Sequence, residues 1–87
     1  MHSELSGDQH RLLRAFAELA GGSPTTDVTA RAAAQEAGFD PDSREFETAL
    51  GYLVDVGYLA RAGDEGGEEE FRLTVGGINE VQRRPQL

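Results

Sequence analysis

Apolar residues recur at helical spacing over the first two thirds of the chain and alternate with polar residues near its end. The first helical pattern covers residues 6–20 and has one apolar face. Ser6 followed three residues later by Gln9 has the pattern of a capping box, in which each side chain accepts a hydrogen bond from a free backbone N–H. Gly21 and Gly22 then end the helix. The residues of the predicted apolar face are Leu12, Leu13, Phe16, Leu19 and Ala20.

A second helix is predicted over residues 27–37, with Asp27 as its N-cap and Gly38 after its last residue. Its apolar positions are small, which permits close approach to another helix. They are Val28, Ala33, Ala34 and Ala37.

A third helix is predicted from Asp40 to about Val56. Asp40 is expected to cap it, and Pro41 suits the first helical position, where a missing N–H costs nothing. Gly57 is expected to end it, because the turn from a helix into a strand needs a positive φ. Its predicted buried face consists of Phe46, Leu50, Leu53 and Val54.

The remaining pattern predicts a β-hairpin and a short closing helix. Residues 58–61 form its first strand, residues 62–69 a glycine-rich and acidic turn, and residues 70–74 a strand of alternating polar and apolar residues. Thr74 is expected to cap a helix that presents Ile78 and Val81 to the core. The sequence therefore predicts an α+β fold.

Two motifs resemble those of the winged helix-turn-helix family. Residues 53–59, LVDVGYL, resemble the family's passage from the recognition helix into the wing, and residues 71–78, FRLTVGGI, resemble its passage from the wing into a closing helix. The resemblance extends over about residues 8–82. It implies a winged helix with a three-helix core, a two-stranded wing and a short C-terminal helix. We expect one domain over residues 1–87, with an ordered core at about residues 6–82.

In DNA-binding members of this family the third helix lies in the major groove and the wing contacts an adjacent groove or the backbone. Carried over by position, Arg44 would read guanine, Ser43 or Thr48 would hold a phosphate, and Arg61 and Arg72 would add phosphate contacts from the wing. The outward residues of the third helix implied by the resemblance are Ser43, Arg44, Glu47, Thr48 and Gly51.

The distribution of charge disfavours DNA as the partner. The 87 residues carry a net charge of −8, all eight cations are arginine, and residues 40–72 hold three arginines against ten carboxylates, a net of −7. Binding to the phosphate backbone depends on positive charge, and each carboxylate close to a phosphate costs about 1 kcal/mol in water before screening. The acidic wing consists of Asp64, Glu65, Glu68, Glu69 and Glu70.

The hypothesis we favour is a non-catalytic, regulator-like module whose acidic third helix and wing bind a protein with a basic surface. The alternative is a sequence-specific DNA-binding regulator, and a third interpretation treats the acids as a solvated surface that improves solubility or suits a saline cytoplasm. Homodimerisation is left open. Tyr52 is expected either to be partly buried or to anchor an interface.

The sequence does not favour an enzyme or a cofactor-dependent protein. Its two histidines, His2 and His10, lie near the N-terminus, there is no cysteine, and the acidic turn lacks a calcium-loop pattern. We therefore expect no catalytic residues, metal or cofactor. Since the chain begins with Met1 and has neither a signal peptide nor a long apolar run, we expect a complete small cytoplasmic protein without contact to a membrane.

Overall fold

The computed structural model describes residues 5–63 and 68–83, which form four helices and a three-stranded antiparallel sheet. This α+β architecture is compatible with a winged-helix-like fold. Within these two ranges no helix combines the length and the apolar character that crossing a membrane requires. In chain order the elements are α1 (Gly7–Ala20), β1 (Val28–Thr29), α2 (Ala30–Ala37), α3 (Arg44–Asp55), β2 (Leu59–Gly63), β3 (Glu70–Leu73) and α4 (Val75–Gln82).

The predicted ends of α1 are confirmed. The Ser6 side chain accepts a hydrogen bond from the Gln9 backbone N–H, and the Gln9 side chain accepts one from the Ser6 backbone N–H, so the capping box is complete. Gly21 follows Ala20 with φ of 64°, a left-handed conformation that favours glycine. The capping signals in this segment were therefore sufficient to place the helix.

The predicted start of α2 is wrong. Val28 and Thr29 are extended and form β1, and the Thr29 hydroxyl, rather than Asp27, caps the helix by accepting a hydrogen bond from the Ala32 N–H at 3.1 Å. The Asp27 carboxylate lies 2.8 Å from an Arg72 guanidinium nitrogen instead. Asp27 and Thr29 are both good N-caps, and burial of Val28 in the sheet selects Thr29.

The predicted start of α3 is also wrong, by three residues, since the N-cap is Ser43 and not Asp40. Residues 40–42 form a turn in which the Asp40 carboxylate accepts a hydrogen bond from the Asp42 N–H at 2.9 Å. Ser43 caps the helix by accepting a hydrogen bond from the Phe46 N–H at 3.2 Å. Aspartate side chains form such local turns as readily as they cap helices. The other end of α3 lies close to the prediction, since Val56 is the C-cap and Gly57 has φ of 89°.

The sheet has one more strand than predicted. Its order is β1-β3-β2, so β3 is central and pairs Val28 with Phe71 on one side and Leu59 with Leu73 on the other. The hairpin strands are confirmed with shifted bounds, because β2 extends to Gly63 and β3 ends at Leu73. The sequence missed β1 because two residues are too few to show an alternating pattern.

The core lies between α1, α2, α3 and the sheet. Phe16 of α1 and Phe71 of β3 meet edge to face, with ring centroids 6.1 Å apart and an interplanar angle of 74°. Such aromatic pairs contribute about 0.5–1.5 kcal/mol beyond the area that they bury. The largest fully buried side chains are Phe16, Phe71, Leu12, Leu13, Leu53, Leu59 and Leu73.

The two ends of the hairpin meet at the backbone of Gly57 and Tyr58. The Thr74 N–H donates to the Tyr58 carbonyl at 3.1 Å, and the Thr74 hydroxyl donates to the Gly57 carbonyl at 2.6 Å. The same hydroxyl accepts from the Gly77 N–H at 3.0 Å and so caps α4, as predicted. Gly77 is buried, and a Cβ atom added there would collide with the Tyr58 carbonyl oxygen. The end of α3, the hairpin and α4 are therefore joined at one point.

Tyr58 also connects this junction to α4 through its side chain. Its hydroxyl donates to the Glu80 carboxylate at 3.4 Å. Burial raises the pKa of the Tyr58 hydroxyl above its ordinary value of 10.0, and the negative charge of Glu80 raises it further. The hydroxyl therefore remains protonated, and able to donate, throughout the neutral pH range.

Replacing Gly77 by alanine should lower the free energy of unfolding by about 1–3 kcal/mol, because the added methyl group forces the Tyr58 backbone away from α4. Gly76→Ala is the matched control, since a Cβ atom at Gly76 would meet its neighbours at 3.6 Å or more. Urea unfolding followed by circular dichroism measures both variants. Equal stability of the two variants would contradict the close packing at Gly77.

Replacing Ser43 by alanine should lower the free energy of unfolding by about 1 kcal/mol, because α3 loses its N-cap. Asp40→Ala should cost less, since that side chain holds only an exposed turn. Thermal unfolding of the two variants compares the two sites directly. A larger loss for Asp40→Ala would support a helix that begins at residue 40.

Candidate functional site

α3 is amphipathic, and its outer side is the candidate binding surface. Its buried positions, Phe46, Ala49, Leu50 and Leu53, face the core. Four of the five outward residues predicted for this helix are exposed, which places them together on one element. They are Arg44, Glu47, Thr48 and Gly51.

Ser43, the fifth of the predicted residues, is half-buried and has a structural role. Its hydroxyl accepts from the Phe46 N–H and donates to the Asp40 carbonyl at 2.8 Å. These two bonds connect the beginning of α3 to the preceding turn. They also leave the Ser43 hydroxyl less able to hold an external phosphate than the exposed Thr48 hydroxyl.

Five exposed carboxylates lie on α3 and on the turn before it, and we call them the α3 acidic surface: Asp40, Asp42, Glu45, Glu47 and Asp55. Among the residues that the structure describes, none of the five forms an ion pair. Arg44 is the single cation of residues 40–55, whose net charge is −4. This surface is therefore negative and available to a partner.

The arginines of the sheet and of α2 are paired within the molecule. Arg61 on β2 lies 2.9 Å from Glu69, and its guanidinium lies 5.3 Å from the centre of the Phe71 ring. Arg72 pairs with Asp27 as described above, and Arg31 lies 3.7 Å from Glu68. Each of these exposed pairs adds only about 0–1 kcal/mol to stability. Their larger effect is to cancel charge around the sheet.

The five residues of the predicted acidic wing therefore differ in their surroundings. Glu68 and Glu69 are exposed but lie beside arginines, and Glu70 is half-buried at the start of β3, opposite Thr29. Asp64 and Glu65 lie outside the described residues. The described part of the wing is thus largely neutralised, and the largest group of carboxylates without an ion pair in the described ranges lies on α3 and the turn before it.

Gly51 is an unusual residue for the middle of an exposed helix. It lies inside α3, it does not have a positive φ, and a Cβ atom added there would meet no atom within 4 Å outside its own helix backbone. Glycine at such a position costs about 0.5–1 kcal/mol relative to alanine. The packing of the described residues does not require glycine at this position.

A shallow groove of about 270 Å³ adjoins this surface where the beginnings of α1 and α3 meet. Arg44, Glu45 and Thr48 line one wall, and Asp8 and Gln9 line the other. Positive and negative groups face each other across it, so the groove has no single preference for an anion or a cation. It extends the polar face of α3 towards α1.

The sequence analysis missed two residues that affect the charge of this site. Asp55 lies one helical turn beyond Gly51 and is exposed, and a spacing of four residues would have identified it. Arg31 neutralises Glu68 across 37 positions of the chain, and no local signal indicates such a contact. Tyr52 is half-buried, which leaves it partly accessible beside the acidic surface.

Comparison with protein-family models, with curated proteins and with solved structures finds no match for this chain.

Proposed function

We propose that this protein is a non-catalytic, regulator-like winged-helix module that binds a protein partner with a basic surface through the α3 acidic surface. One observation carries the proposal: the five carboxylates of that surface are exposed and have no ion-pair partner among the described residues. Opposite charge on a partner would steer association and fix its orientation.

The winged-helix part of the proposal is supported by the order of the elements. Three helices, a hairpin and a closing helix follow one another as the resemblance implies, with the short β1 added to the sheet. The two motifs lie at the two ends of the hairpin, and Thr74 and Gly57 from these motifs are hydrogen-bonded to each other. α3 would then be the recognition helix, and β2 and β3 the wing.

The ion pairs of the wing favour a protein over DNA as the partner. Arg61 and Arg72, which would have to contact phosphates, are each within 3 Å of a carboxylate. Moving them to a phosphate would leave Glu69 and Asp27 as additional negative charges close to the DNA. Charge repulsion would therefore increase at the point where the family engages the backbone.

DNA binding remains the second candidate function, because Arg44 and Thr48 are exposed near the beginning of α3 and Arg44 forms no ion pair within the described ranges. An arginine at this position of a recognition helix is suited to guanine. One such contact has to outweigh the net charge of −4 on residues 40–55.

A matched pair of variants tests the acidic surface with nonaarginine as the probe. Glu45→Gln together with Glu47→Gln should weaken binding of the peptide about threefold to tenfold at about 50 mM salt, since each exposed ion pair contributes about 0.2–1 kcal/mol. Glu68→Gln together with Glu69→Gln removes the same charge from carboxylates that Arg31 and Arg61 already neutralise. This control pair should weaken binding less than twofold.

Isothermal titration calorimetry measures these affinities. Equal losses for the two pairs of variants would indicate a general effect of net charge and would favour the interpretation of the acids as a solvated surface. Absence of binding to the unaltered protein would contradict the proposed function.

Fluorescence anisotropy of a labelled mixed-sequence duplex DNA tests the second candidate. At about 50 mM salt we expect a dissociation constant weaker than about 10⁻⁴ M, because the surface lacks the unpaired cations that release counterions from DNA. Tight binding that disappears as salt is added, and that Arg44→Gln abolishes, would establish DNA as the partner.

A further inference from the structure

Gly51 lies in the middle of α3, whereas the other glycines that the structure describes lie in the first turn of a helix, after the end of a helix or in a strand. Gly21, Gly38 and Gly57 adopt positive φ at the ends of helices, and Gly77 is required by its contact with the Tyr58 carbonyl. Gly51 has neither property and faces open space. Glycine allows another backbone or a ligand to come close, and in the middle of an exposed helix it lowers stability relative to alanine.

A second residue of the same face is also placed at a cost to α3. Asp55 is the last residue of the helix, where the helix dipole disfavours a negative charge, and no basic residue lies in that last turn. Glu47 lies one turn before Gly51 and Asp55 one turn after it, so the two carboxylates are about 6 Å on either side along the helix axis. Because Gly51 has no side chain, it leaves a depression on the surface of α3 between these two exposed acids.

We propose that Gly51 is the point of closest approach for a helix of the basic partner, whose arginine or lysine side chains pair with Glu47 and Asp55. This inference rests on the proposed function and specifies how the partner contacts α3. Helices pack with axes about 8–10 Å apart, according to the size of the side chains at the contact. Glycine permits a distance between the helix axes at the short end of this range. It also allows a row of side chains on the partner helix to enter between the two acids.

The charges argue against a second copy of this chain as the partner. In an antiparallel pair of α3 helices that cross at Gly51, Glu47 of each copy would lie opposite Asp55 of the other. Like charges at such a distance repel each other. A basic helix has the complementary charge at both positions.

The test uses an alanine-based helical peptide of about 20 residues with arginine at every fourth position, and nonaarginine as an unstructured reference. Gly51→Gln should weaken binding of the helical peptide about tenfold, because its side chain holds the two helices apart. It should change binding of nonaarginine less than twofold, since all charges are retained. Gly76→Ala, a substitution at an exposed glycine of α4, should leave both affinities unchanged.

The stability of the free protein provides the second readout. Gly51→Ala should raise the melting temperature by roughly 2–8 °C, because alanine is the better helix former and the added methyl group has no neighbour outside the backbone of its own helix. A higher melting temperature together with weaker binding of the helical peptide supports a glycine that is kept for contact with a partner. A lower melting temperature would show that Gly51 has a role in folding and would overturn the inference.

The outcomes separate this inference from the proposed function. Unchanged binding of the helical peptide to Gly51→Gln, with the loss expected for Glu45→Gln and Glu47→Gln, overturns the Gly51 contact and leaves the acidic surface in place. Absence of binding to either peptide overturns both. Self-association of the unaltered protein in sedimentation velocity that Gly51→Gln abolishes would identify the partner as a second copy and overturn the inference.

Discussion

The arrangement of the whole molecule depends on the contact between Thr74 and the backbone of Gly57 and Tyr58. One hydroxyl donates to the Gly57 carbonyl and accepts from the Gly77 N–H, while the Thr74 N–H holds the Tyr58 carbonyl. The ends of a helix leave backbone N–H and C=O groups without partners inside the helix, and this junction pairs such groups at the end of α3 and at the beginning of α4. Because the end of α3 is fixed there, the direction of its exposed face is fixed as well.

The distribution of charge follows from this arrangement. The sheet brings Arg61 and Arg72 close to Glu69 and Asp27, so positive and negative charges cancel around it. Within residues 5–63 and 68–83, no arginine of another element forms an ion pair with a carboxylate of α3. Part of its acidity still has a structural benefit, because Glu45 and Glu47 lie in the first turn, where the helix dipole stabilises negative charge.

Local signals in the sequence predicted the features that depend on local energetics. The capping box of Ser6, the cap at Thr74, and the glycines that follow α2 and α3 were all placed correctly, because each is decided within about four residues. The starts of α2 and α3 were misplaced because two adequate caps lay close together in each case. Pairing of Val28 with Phe71, 43 residues away, decides the first case, and no window of the sequence contains both residues.

The candidate site was predicted to a similar extent. Four of the five outward residues implied by the family resemblance, Gly51 among them, are exposed, because an amphipathic helix fixes its outer face once its inner face is known. The neutralisation of the wing was not predicted, since the contact of Arg31 with Glu68 requires the folded sheet. Counting charges along residues 40–72 therefore overestimated the acidity of the wing and gave no reason to single out α3.

Two residues of α3 oppose the stability of the helix that contains them, and they lie next to each other on its exposed face. Substituting either by a better helix residue requires no change in the core, because Gly51 has open space around it and Asp55 is exposed. Stabilising substitutions at such positions are easily reached by mutation, because natural sequences seldom have the most stable residue at every position. The acids at the beginning of α3 have a structural explanation, whereas Gly51 and Asp55 do not. A bound partner would therefore explain the residues at the middle and the end of the helix.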